Sequence, residues 1–393
     1  PIFALGLGPA GQYVRLETLG RRTDRLHSVL VRYVMYDGKL VVFPERGGHQ
    51  DWVANLKGNP RVGVYAGEAR WEGVAEQRRA SGLTDPVLAA FTRKYGGAEV
   101  RRRYWGTVDF FQISLLSMTK ENYAELVYSD LEAAFDGVAL TYDHHILDNP
   151  MNVWLRDRSV DLMTTLFKRG DTVVEVGCGT GTETLRLASK GIKVVATDIS
   201  QKMLEVLMKK ARARGLEENV IPVHCRAHQL KEGLARAGCT RADGAYSTYG
   251  AVNTEPRLGE MMANLHDLIR PGGKLVLGVW NRFCLYEIIG YSMRMRPSMV
   301  VARLRNPVPV GKSRFCVTTN AFSVGELTRQ IQGRFELESV RGVCILLPPS
   351  NLVRYLPRGR LLRFFKAVDV SLQSRSPWCQ LGDHFLGVYG RVG

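Results

Sequence analysis

The sequence predicts two domains of different class, a small β-barrel followed by an α/β domain with a doubly wound parallel sheet. A chain of 393 residues is longer than one hydrophobic core usually organises. The first stretch of about 115 residues contains short β-branched and aromatic segments between turn residues, which is typical of a small barrel. From about Lys120 helical and strand-like segments alternate, as they do in a parallel sheet with helices on both faces. We therefore place the barrel at residues 1–119 and the α/β domain at residues 120–393.

The barrel strands are predicted from apolar and aromatic runs bounded by turn signals such as Asp37-Gly38 and Asn59-Pro60. They are expected at residues 14–18, 28–36, 40–43, 62–65, 69–75 and 108–116. Two helices interrupt them, at about residues 50–57 and 85–95. Asp85 suits the N-cap of the second helix, because Pro86 then occupies the first helical position.

The α/β domain is expected to open with two helices, at residues 121–135 and 152–167. Seven strands should follow, at residues 172–176, 193–197, 220–224, 244–247, 274–280, 335–343 and 384–391. An insertion at about residues 285–334 lies between the fifth and sixth strands and is rich in basic, apolar and Met residues. Because Met adapts to irregular apolar surface, this insertion is either a cap over a hydrophobic substrate or ordinary core.

The net charge of +16 is concentrated in one part of the chain. Between Arg282 and Lys366 there are 15 basic residues and four acidic ones. This region is either a solvated basic face or a surface attracted to anionic membranes or an acidic substrate. Residues 361–370 are amphipathic and could lie on a membrane or on the cap. No zinc-finger, helix-turn-helix or ribonucleoprotein pattern is present, so nucleic acid is not an expected partner.

Seven scattered cysteines, never in C-x-x-C spacing, argue against a disulfide framework and against a metal site. They favour a reducing compartment. No apolar run approaches the roughly 20 residues that span a bilayer, and no signal peptide is evident. We expect a cytoplasmic protein whose membrane contact, if any, is peripheral.

The strongest chemical pattern is the glycine-rich turn after the first α/β strand. Gly177, Gly179 and Gly181 alternate between an apolar strand and a helix, and Glu175 precedes them. Asp198 ends the next strand-like run, 23 positions after Glu175. This layout is typical of a nucleotide-binding βαβ unit, in which the second acid accepts ribose hydroxyls. Dinucleotide sites favour G-x-G-x-x-G around a pyrophosphate, so the G-x-G-x-G spacing argues against NAD.

Further contacts are expected where the fourth α/β strand ends, because ligands of open α/β sheets bind outside the carboxyl ends of the strands. Ser247, Tyr249 and Asn253 are therefore candidate pocket residues, with loop packing as the alternative. The alternative for this segment is that Asp198 or Ser200 caps the helix that follows.

The glycine turn, residues 175–181, resembles motif I of the class I S-adenosylmethionine (SAM) methyltransferases. The sequence L-I-R-P-G-G-K-L-V-L at residues 268–277 and the pair Tyr142-Asp143 also match that class, in which the Tyr-Asp segment closes over SAM. The likeness covers about residues 120–393 and is to bacterial small-molecule enzymes similar to the ubiquinone/menaquinone type. It implies SAM as cofactor and methyl transfer to a small, hydrophobic molecule. The cofactor-binding residues it implies are Tyr142, Glu175, Gly177, Gly179, Gly181, Asp198, Ile199, Ala227 and Ser247.

One position departs from the class pattern. After the third strand the class usually carries an acid that contacts the adenine amino group, and this chain has Arg226 there. An arginine side chain cannot accept a hydrogen bond. Adenine recognition then depends on the backbone or on Gln229.

Methyl transfer from an activated sulfonium needs mainly the alignment of the reactants. A general base helps where the acceptor is a hydroxyl or an acidic carbon. The candidate catalytic residues are His384, Tyr249 and His145, with His144 as a further histidine, and the sequence does not choose between them.

Residues 12–118 resemble the deazaflavin (F420)-dependent nitroreductase and quinone-reductase group of split β-barrels, relatives of FMN-binding proteins. The most specific pieces are G-R-R-T at residues 20–23 and W-x-x-N-L-x-x-N-P at residues 52–60. Paired arginines beside glycines suit bidentate phosphate binding. The resemblance implies F420 or FMN as a second cofactor and a homodimer through the barrel. The residues it implies for that cofactor are Arg21, Arg22, Arg46, Gly47 and Gly48.

Three alternatives stay open from the sequence. The barrel could be a cofactor-free dimerisation or substrate-binding module. The α/β domain could be a SAM sensor without catalysis, and the glycine turn could still serve NAD in a dehydrogenase. If both domains are active, reduction and methylation in one pathway is the simplest interpretation of their fusion.

Overall fold

The computed structural model describes residues 13–23, 25–45, 51–66, 69–80, 85–104, 109–116, 120–295, 297–304, 308, 317 and 319–393. Contacts between Cα atoms divide the chain into two compact units, Pro1–Ala134 with Pro309–Thr319, and Phe135–Val308 with Asn320–Gly393. The predicted domain boundary stays a prediction, because Thr119 lies outside the described residues.

The first unit contains the predicted six-stranded barrel. Its strands are β1 (Tyr13–Leu19), β2 (Leu26–Tyr36), β3 (Lys39–Val42), β4 (Arg61–Ala66), β5 (Ala69–Arg79) and β6 (Asp109–Leu115). All pairs are antiparallel, and the sheet closes in the order β1-β2-β3-β6-β5-β4 because β1 also pairs with β4. Closure removes the free sheet edges, so the barrel prediction is confirmed.

Two helices of this unit lie close to the predicted positions, α1 (Asp51–Gly58) and α2 (Pro86–Tyr95), whereas α3 (Gly97–Tyr104) was not predicted. Helix α4 (Lys120–Val138) follows, close to the helix that was predicted at residues 121–135. Trp52 of α1 is buried, with its ring 5.7 Å from that of Phe111. Asp85 accepts a hydrogen bond from the backbone N–H of Val87 at 2.9 Å, which confirms it as the N-cap of α2.

The second unit is an α/β fold with a seven-stranded sheet. Its strands are β7 (Thr172–Val176), β8 (Lys193–Asp198), β9 (Val220–His224), β10 (Ala242–Thr248), β11 (Ile269–Trp280), β12 (Phe335–Val343) and β13 (His384–Arg391). Its helices are α5 (Tyr142–Leu147), α6 (Pro150–Leu166), α7 (Thr182–Ala188), α8 (Gln201–Arg212), α9 (Leu230–Arg236), α10 (Ala251–Thr254), α11 (Leu258–Leu268), α12 (Leu285–Ser292), α13 (Pro297–Val300), α14 (Val324–Ile331) and α15 (Gly359–Leu372). The predicted insertion at 285–334 contains α12, α13 and α14, and residues 296, 305–307, 309–316 and 318 within it are not described.

The strand order is β12-β13-β11-β10-β7-β8-β9, and β13 runs antiparallel to both neighbours. The sheet is thus mixed, whereas the helix–strand alternation predicted parallel strands only. The difference arises because Val343 at the end of β12 pairs with His384 at the start of β13. The segment between them leaves and re-enters the sheet at the same end, which forces the two strands to run in opposite directions.

The glycine turn lies near the middle of this sheet, because β7 runs between β10 and β8. Apolar residues cover both faces of β7: Val174 and Val176 belong to one buried cluster, and Val173 belongs to the other. This alternation is expected of a parallel strand with helices on both sides. The carboxyl ends of β7, β8 and β10 therefore converge on one edge, where the site is found.

Candidate functional site

Three glycines form the turn after β7. At two of them a side chain is disfavoured both by the backbone angle φ and by neighbouring side-chain atoms. Gly177, Gly179 and Gly181 have φ values of 75°, 53° and 80°, which side chains rarely adopt. A Cβ on Gly177 would lie 2.6 Å from the Cβ of Ala251, and one on Gly181 would lie 2.1 Å from Leu207 Cδ1. The turn therefore presents bare backbone at the end of the sheet.

Asp198 holds this turn in place. Its Oδ2 accepts a hydrogen bond from the backbone N–H of Gly179 at 2.7 Å, and its Oδ1 accepts one from Ser200 at 2.8 Å. Burial raises the pKa of Asp198, and these backbone donors oppose that rise. Ser200 caps α8 by accepting from Met203, as the alternative interpretation of this segment expected. Ribose binding by Asp198 stays a prediction, compatible with the acceptor capacity that its two oxygens retain.

The other residues predicted around the cofactor fall into two groups. Ile199 and Ala227 follow β8 and β9, and the carbonyl of Ile199 lies 2.8 Å from Nε2 of His224. Ser247 is fully buried and donates to the carbonyl of Val176 at 3.0 Å, so it joins β10 to β7. This contact gives Ser247 a structural role, and its contact with a cofactor stays a prediction.

The Tyr142-Asp143 segment lies against the glycine turn, as its resemblance to a closing segment implies. Thr180 donates to Asp143 at 2.5 Å, and Lys210 donates to Asp143 and to the Thr180 carbonyl at 2.7 Å each. Burial favours a raised pKa for Asp143, but these contacts outweigh it and lower the pKa below its usual value. Tyr142 Cε1 lies 3.7 Å from the position that a Cβ on Gly179 would occupy.

A small cavity of about 30 Å³ lies between this segment and the turn. It is lined by Tyr142, Arg156, Gly177, Cys178, Gly179, Thr180, Thr182, Glu183, Thr248 and Tyr249. Arg156 and Glu183 form a buried ion pair between Nη1 and Oε2. The second carboxylate oxygen of Glu183, Oε1, is buried and has no hydrogen-bond partner among the described residues. The sequence analysis missed Glu183, although an acid two positions after the last glycine was the available signal.

Glu175 lies behind the turn rather than along this cavity. Its Oε2 accepts from Tyr246 at 2.7 Å and from Thr184, and its side chain is almost fully buried. Burial, reinforced by the negative charge of Glu183, raises the pKa of Glu175 to about 8. A direct contact between Glu175 and a cofactor stays a prediction.

The raised pKa of Glu175 predicts a specific pH dependence of stability. The carboxyl keeps its proton in the folded state up to about pH 8 but loses it near pH 4.5 when unfolded. Its contribution is complete below pH 4.5 and is lost as the pH rises to 8, by about 1.4 kcal/mol per pH unit. Denaturation of the wild type and Glu175→Gln from pH 5 to 8 should show the wild type losing stability relative to the variant. Parallel pH profiles would contradict this assignment.

His384 belongs to a buried chain of charged groups. Its Nδ1 lies 3.0 Å from Asp383 Oδ2, and Asp383 Oδ1 accepts from Arg303 at 2.5 Å. Arg303 also donates to Glu287 at 2.9 Å, and the Arg303, Asp383 and Glu287 side chains are at most 4% exposed. Burial alone would raise the pKa of Asp383, but the positive charge of Arg303 and its hydrogen bonds hold it well below the usual range. An ionised Asp383 can only accept, so Nδ1 of His384 carries a proton and Nε2 is left as the acceptor.

Tyr249 connects His384 to the cavity. Its ring lines the cavity and lies 5.3 Å from the His384 ring, edge to face. The Tyr249 hydroxyl donates to the Leu155 carbonyl, also contacts Ser159, and has its pKa raised by burial. These contacts argue against Tyr249 as a general base and favour it as a wall of the site. Its φ of 56° is strained for a residue with a side chain, as is common at functional sites.

The remaining predicted residues lie outside the described residues or belong to the first unit. The side chain of His145, and Arg46, Gly47 and Gly48, lie outside the described residues. Arg21 and Arg22 are exposed in the turn after β1. The Arg21 N–H donates to Asn55 Oδ1 at 3.2 Å, and Asn55 donates to Thr18, so Asn55 braces this turn.

Comparison with known proteins matches both units to families. The family model of the F420H(2)-dependent quinone reductases matches residues 8–94, and a methyltransferase domain model matches residues 173–273. The chain is 30% identical over 147 residues to a demethylmenaquinone methyltransferase of Thermus thermophilus, which covers 36% of this chain and 62% of that protein. It is 31% identical over 110 residues to a probable cobalt-precorrin-6B C(15)-methyltransferase (decarboxylating) of Methanothermobacter thermautotrophicus. That match covers 28% of this chain and 52% of the other protein.

Among solved structures, the 1,6-didemethyltoxoflavin-N1-methyltransferase of Burkholderia thailandensis is similar, with 17% identity and a TM-score of 0.44. That match covers 70% of this chain and 92% of the other. The chain spans little more than half the length of the curated relatives described above. Among the described helices, none combines the length and apolar character needed to cross a membrane. The chain therefore contains a domain of the F420H(2)-dependent quinone reductase family at residues 8–94 and a methyltransferase domain at residues 173–273.

Proposed function

We propose that the α/β unit binds SAM and catalyses methyl transfer to a small, hydrophobic acceptor. The observation that carries this proposal is the bare glycine turn, held by Asp198, beside a buried cavity that contains both a positive and a negative side chain. Such a cavity suits the ammonium group of SAM, which is small and positively charged. The turn has no pyrophosphate-binding spacing, which favours SAM over a dinucleotide.

The residues present fit this cofactor. The three glycines give the turn no side chains of its own, which favours a close approach of a ligand to its backbone. The position of Asp198 at the end of β8 supports ribose binding, and Tyr142 lies against the turn. SAM supplies a methyl group on a sulfonium that is already activated. The protein's contribution is then to align the acceptor with that methyl group and to receive a proton.

We propose His384 as the general base that accepts the proton of the methyl acceptor. Asp383 fixes Nδ1 as the protonated nitrogen, so the Nε2 lone pair takes a proton from an O–H or acidic C–H of the acceptor as its new bond to carbon forms. Arg303 keeps Asp383 ionised and thereby acts as a positioning residue. Tyr249 lines the cavity and packs against the His384 ring, so the two side chains are neighbours in the proposed site.

A quinone is the acceptor class that we propose. The barrel belongs to a family described as quinone reductases, and one relative of the α/β unit is a demethylmenaquinone methyltransferase. A reduced naphthoquinone with a free ring carbon has both an acidic O–H and a nucleophilic carbon. Reduction of the ring in the barrel and methylation in the α/β unit would then act on one molecule.

The direct test uses SAM with a tritiated methyl group and such a reduced naphthoquinone, followed by counting the organic extract. We expect tritium in the extract with the wild type, and about 100-fold less with His384→Gln, since general bases contribute at least that much. SAM affinity, measured by calorimetry, should be unchanged in this variant. SAM binding without transfer to any acceptor would favour the sensor alternative, and binding of NAD instead would overturn the proposal.

For the barrel, we propose F420 binding at the turn that carries Arg21 and Arg22. Two exposed cations beside Gly20 suit the phosphate of the cofactor. Fluorescence titration with F420 and with FMN tests this proposal, and the double variant Arg21→Ala/Arg22→Ala should lose most of the affinity. If neither compound binds the wild type, the barrel is a cofactor-free module.

Helix α15 supports a proposed contact with anionic membranes, where a hydrophobic quinone would be found. Leu361 and Phe364 are 55% and 60% exposed, and Arg360 and Arg363 are exposed beside them. Apolar side chains next to basic ones are typical of helices that lie on anionic lipid. We expect sedimentation with phosphatidylglycerol vesicles but not with phosphatidylcholine, and loss of binding in Leu361→Gln/Phe364→Gln. The exposed Leu140, changed to Gln, is the control.

A further inference from the structure

The feature that the proposed function leaves unused is the second carboxylate oxygen of Glu183. Its neighbour, Oε2, is occupied by Arg156, whereas Oε1 is buried without a hydrogen-bond partner among the described residues. Glu183 is 1% exposed, so water does not compensate this oxygen at the surface. Native proteins rarely leave a charged acceptor in this condition, which points to a ligand donor.

The cavity beside Glu183 limits what that donor can be. Its volume of about 30 Å³ is close to the space of one water molecule, so it admits a small head group and excludes a ring. A carboxylate oxygen needs a donor, and a positively charged one gives the strongest hydrogen bond. An alkylammonium group has the required size, charge and donor capacity.

We propose that Glu183 Oε1 binds the α-ammonium group of SAM. This assignment rests on the proposed function, because it places the ammonium group of SAM at the cavity that Glu183 lines. Arg156 occupies the other carboxylate oxygen, Oε2, and so holds the Glu183 side chain in position. Glu183 is then a binding residue rather than a catalytic one.

The hydrogen-bond partners of Glu175 and Glu183 differ in a way that supports this assignment. Glu175 has hydroxyl donors on its carboxylate, from Tyr246 and Thr184, and its raised pKa favours a neutral carboxyl. Glu183 instead forms an ion pair with Arg156 through Oε2, and its buried Oε1 has no partner among the described residues. Of these two acids, Glu183 is therefore the one with a buried oxygen left for a ligand donor.

Calorimetry with three ligands tests this inference without any methyl acceptor. S-adenosylhomocysteine carries the ammonium and carboxylate groups, decarboxylated SAM keeps only the ammonium, and 5′-methylthioadenosine has neither. Glu183→Gln should bind the first two about 10- to 100-fold more weakly, as expected for a charged hydrogen bond. Its affinity for 5′-methylthioadenosine should stay within about twofold of the wild type, because that ligand never reaches Glu183.

A matched control is Glu232→Gln, an exposed acid in the first turn of α9, which should bind all three ligands as the wild type does. Equal affinity of Glu183→Gln and wild type for S-adenosylhomocysteine would overturn the inference. An equal loss for all three ligands would also overturn it, because Glu183 would then act through folding. If the wild type binds none of the three, the proposed function fails instead, so the two failures are distinguishable.

Discussion

Replacing Arg303 with methionine is expected to lower the free energy of unfolding of the α/β unit by about 3–5 kcal/mol. Arg303 is 3% exposed and is the shared partner of Glu287 and Asp383, which are themselves buried. Methionine fills a similar volume but donates no hydrogen bond, so two carboxylates would be left inside the protein without a counter-charge. Urea unfolding followed by circular dichroism measures the loss.

Arg294→Met is the control for this change. Arg294 is exposed, donates to the Gly290 carbonyl at 2.7 Å and stacks on Tyr355, and exposed contacts of this kind contribute little. It should shift the unfolding free energy by no more than about 0.5 kcal/mol. A similarly small effect of Arg303→Met would show that the Glu287–Arg303–Asp383 chain does not hold the fold, and would remove the reason to regard Asp383 as ionised.

Gly181→Ala is expected to abolish tight SAM binding and to destabilise the α/β unit by about 2–5 kcal/mol. Alanine at a φ of 80° costs about 1–2 kcal/mol. The new methyl group would also lie 2.1 Å from Leu207 Cδ1, and overpacking of a fully buried leucine costs about 1–3 kcal/mol. The turn must shift to relieve this overlap, and the backbone that faces the ligand shifts with it. Thermal unfolding and calorimetry with SAM measure the two effects.

Gly215→Ala separates the cost of the positive φ from the cost of the steric overlap with Leu207. Gly215 has a comparable φ of 62°, but nothing lies within 4 Å of its Cβ position. It should therefore show only the backbone cost and should leave SAM affinity unchanged. Leu207→Ala should also be less harmful in the Gly181→Ala background than in the wild type, because it removes the overlapping atoms. Equal effects of Gly181→Ala and Gly215→Ala would contradict the steric part of the argument.

The parts of the fold that could be predicted from sequence are those set by neighbouring residues. The strands of the barrel, the glycine turn and the N-cap at Asp85 each depend on residues within about ten positions of one another, and the structure confirms them. Asp198 was also predictable, because one βαβ step fixes its distance from the turn along the chain. The direction of β13 could not be predicted, because it depends on the end of the sheet at which the connection from β12 returns.

The sequence by itself determined the two fold classes and the position of the glycine turn, because hydrophobic periodicity and turn preferences depend on residues that are close together in the chain. Only the tertiary structure showed that His384 contacts Asp383, which Arg303 links to Glu287 inside the protein. Our proposal of His384 as the base rests on these contacts. The tertiary structure also showed that Glu175 accepts from Tyr246, whereas Glu183 forms an ion pair with Arg156. Charge, burial and hydrogen-bond partners at a site depend on residues that meet only in the folded protein, and spacing along the chain carries no information about them.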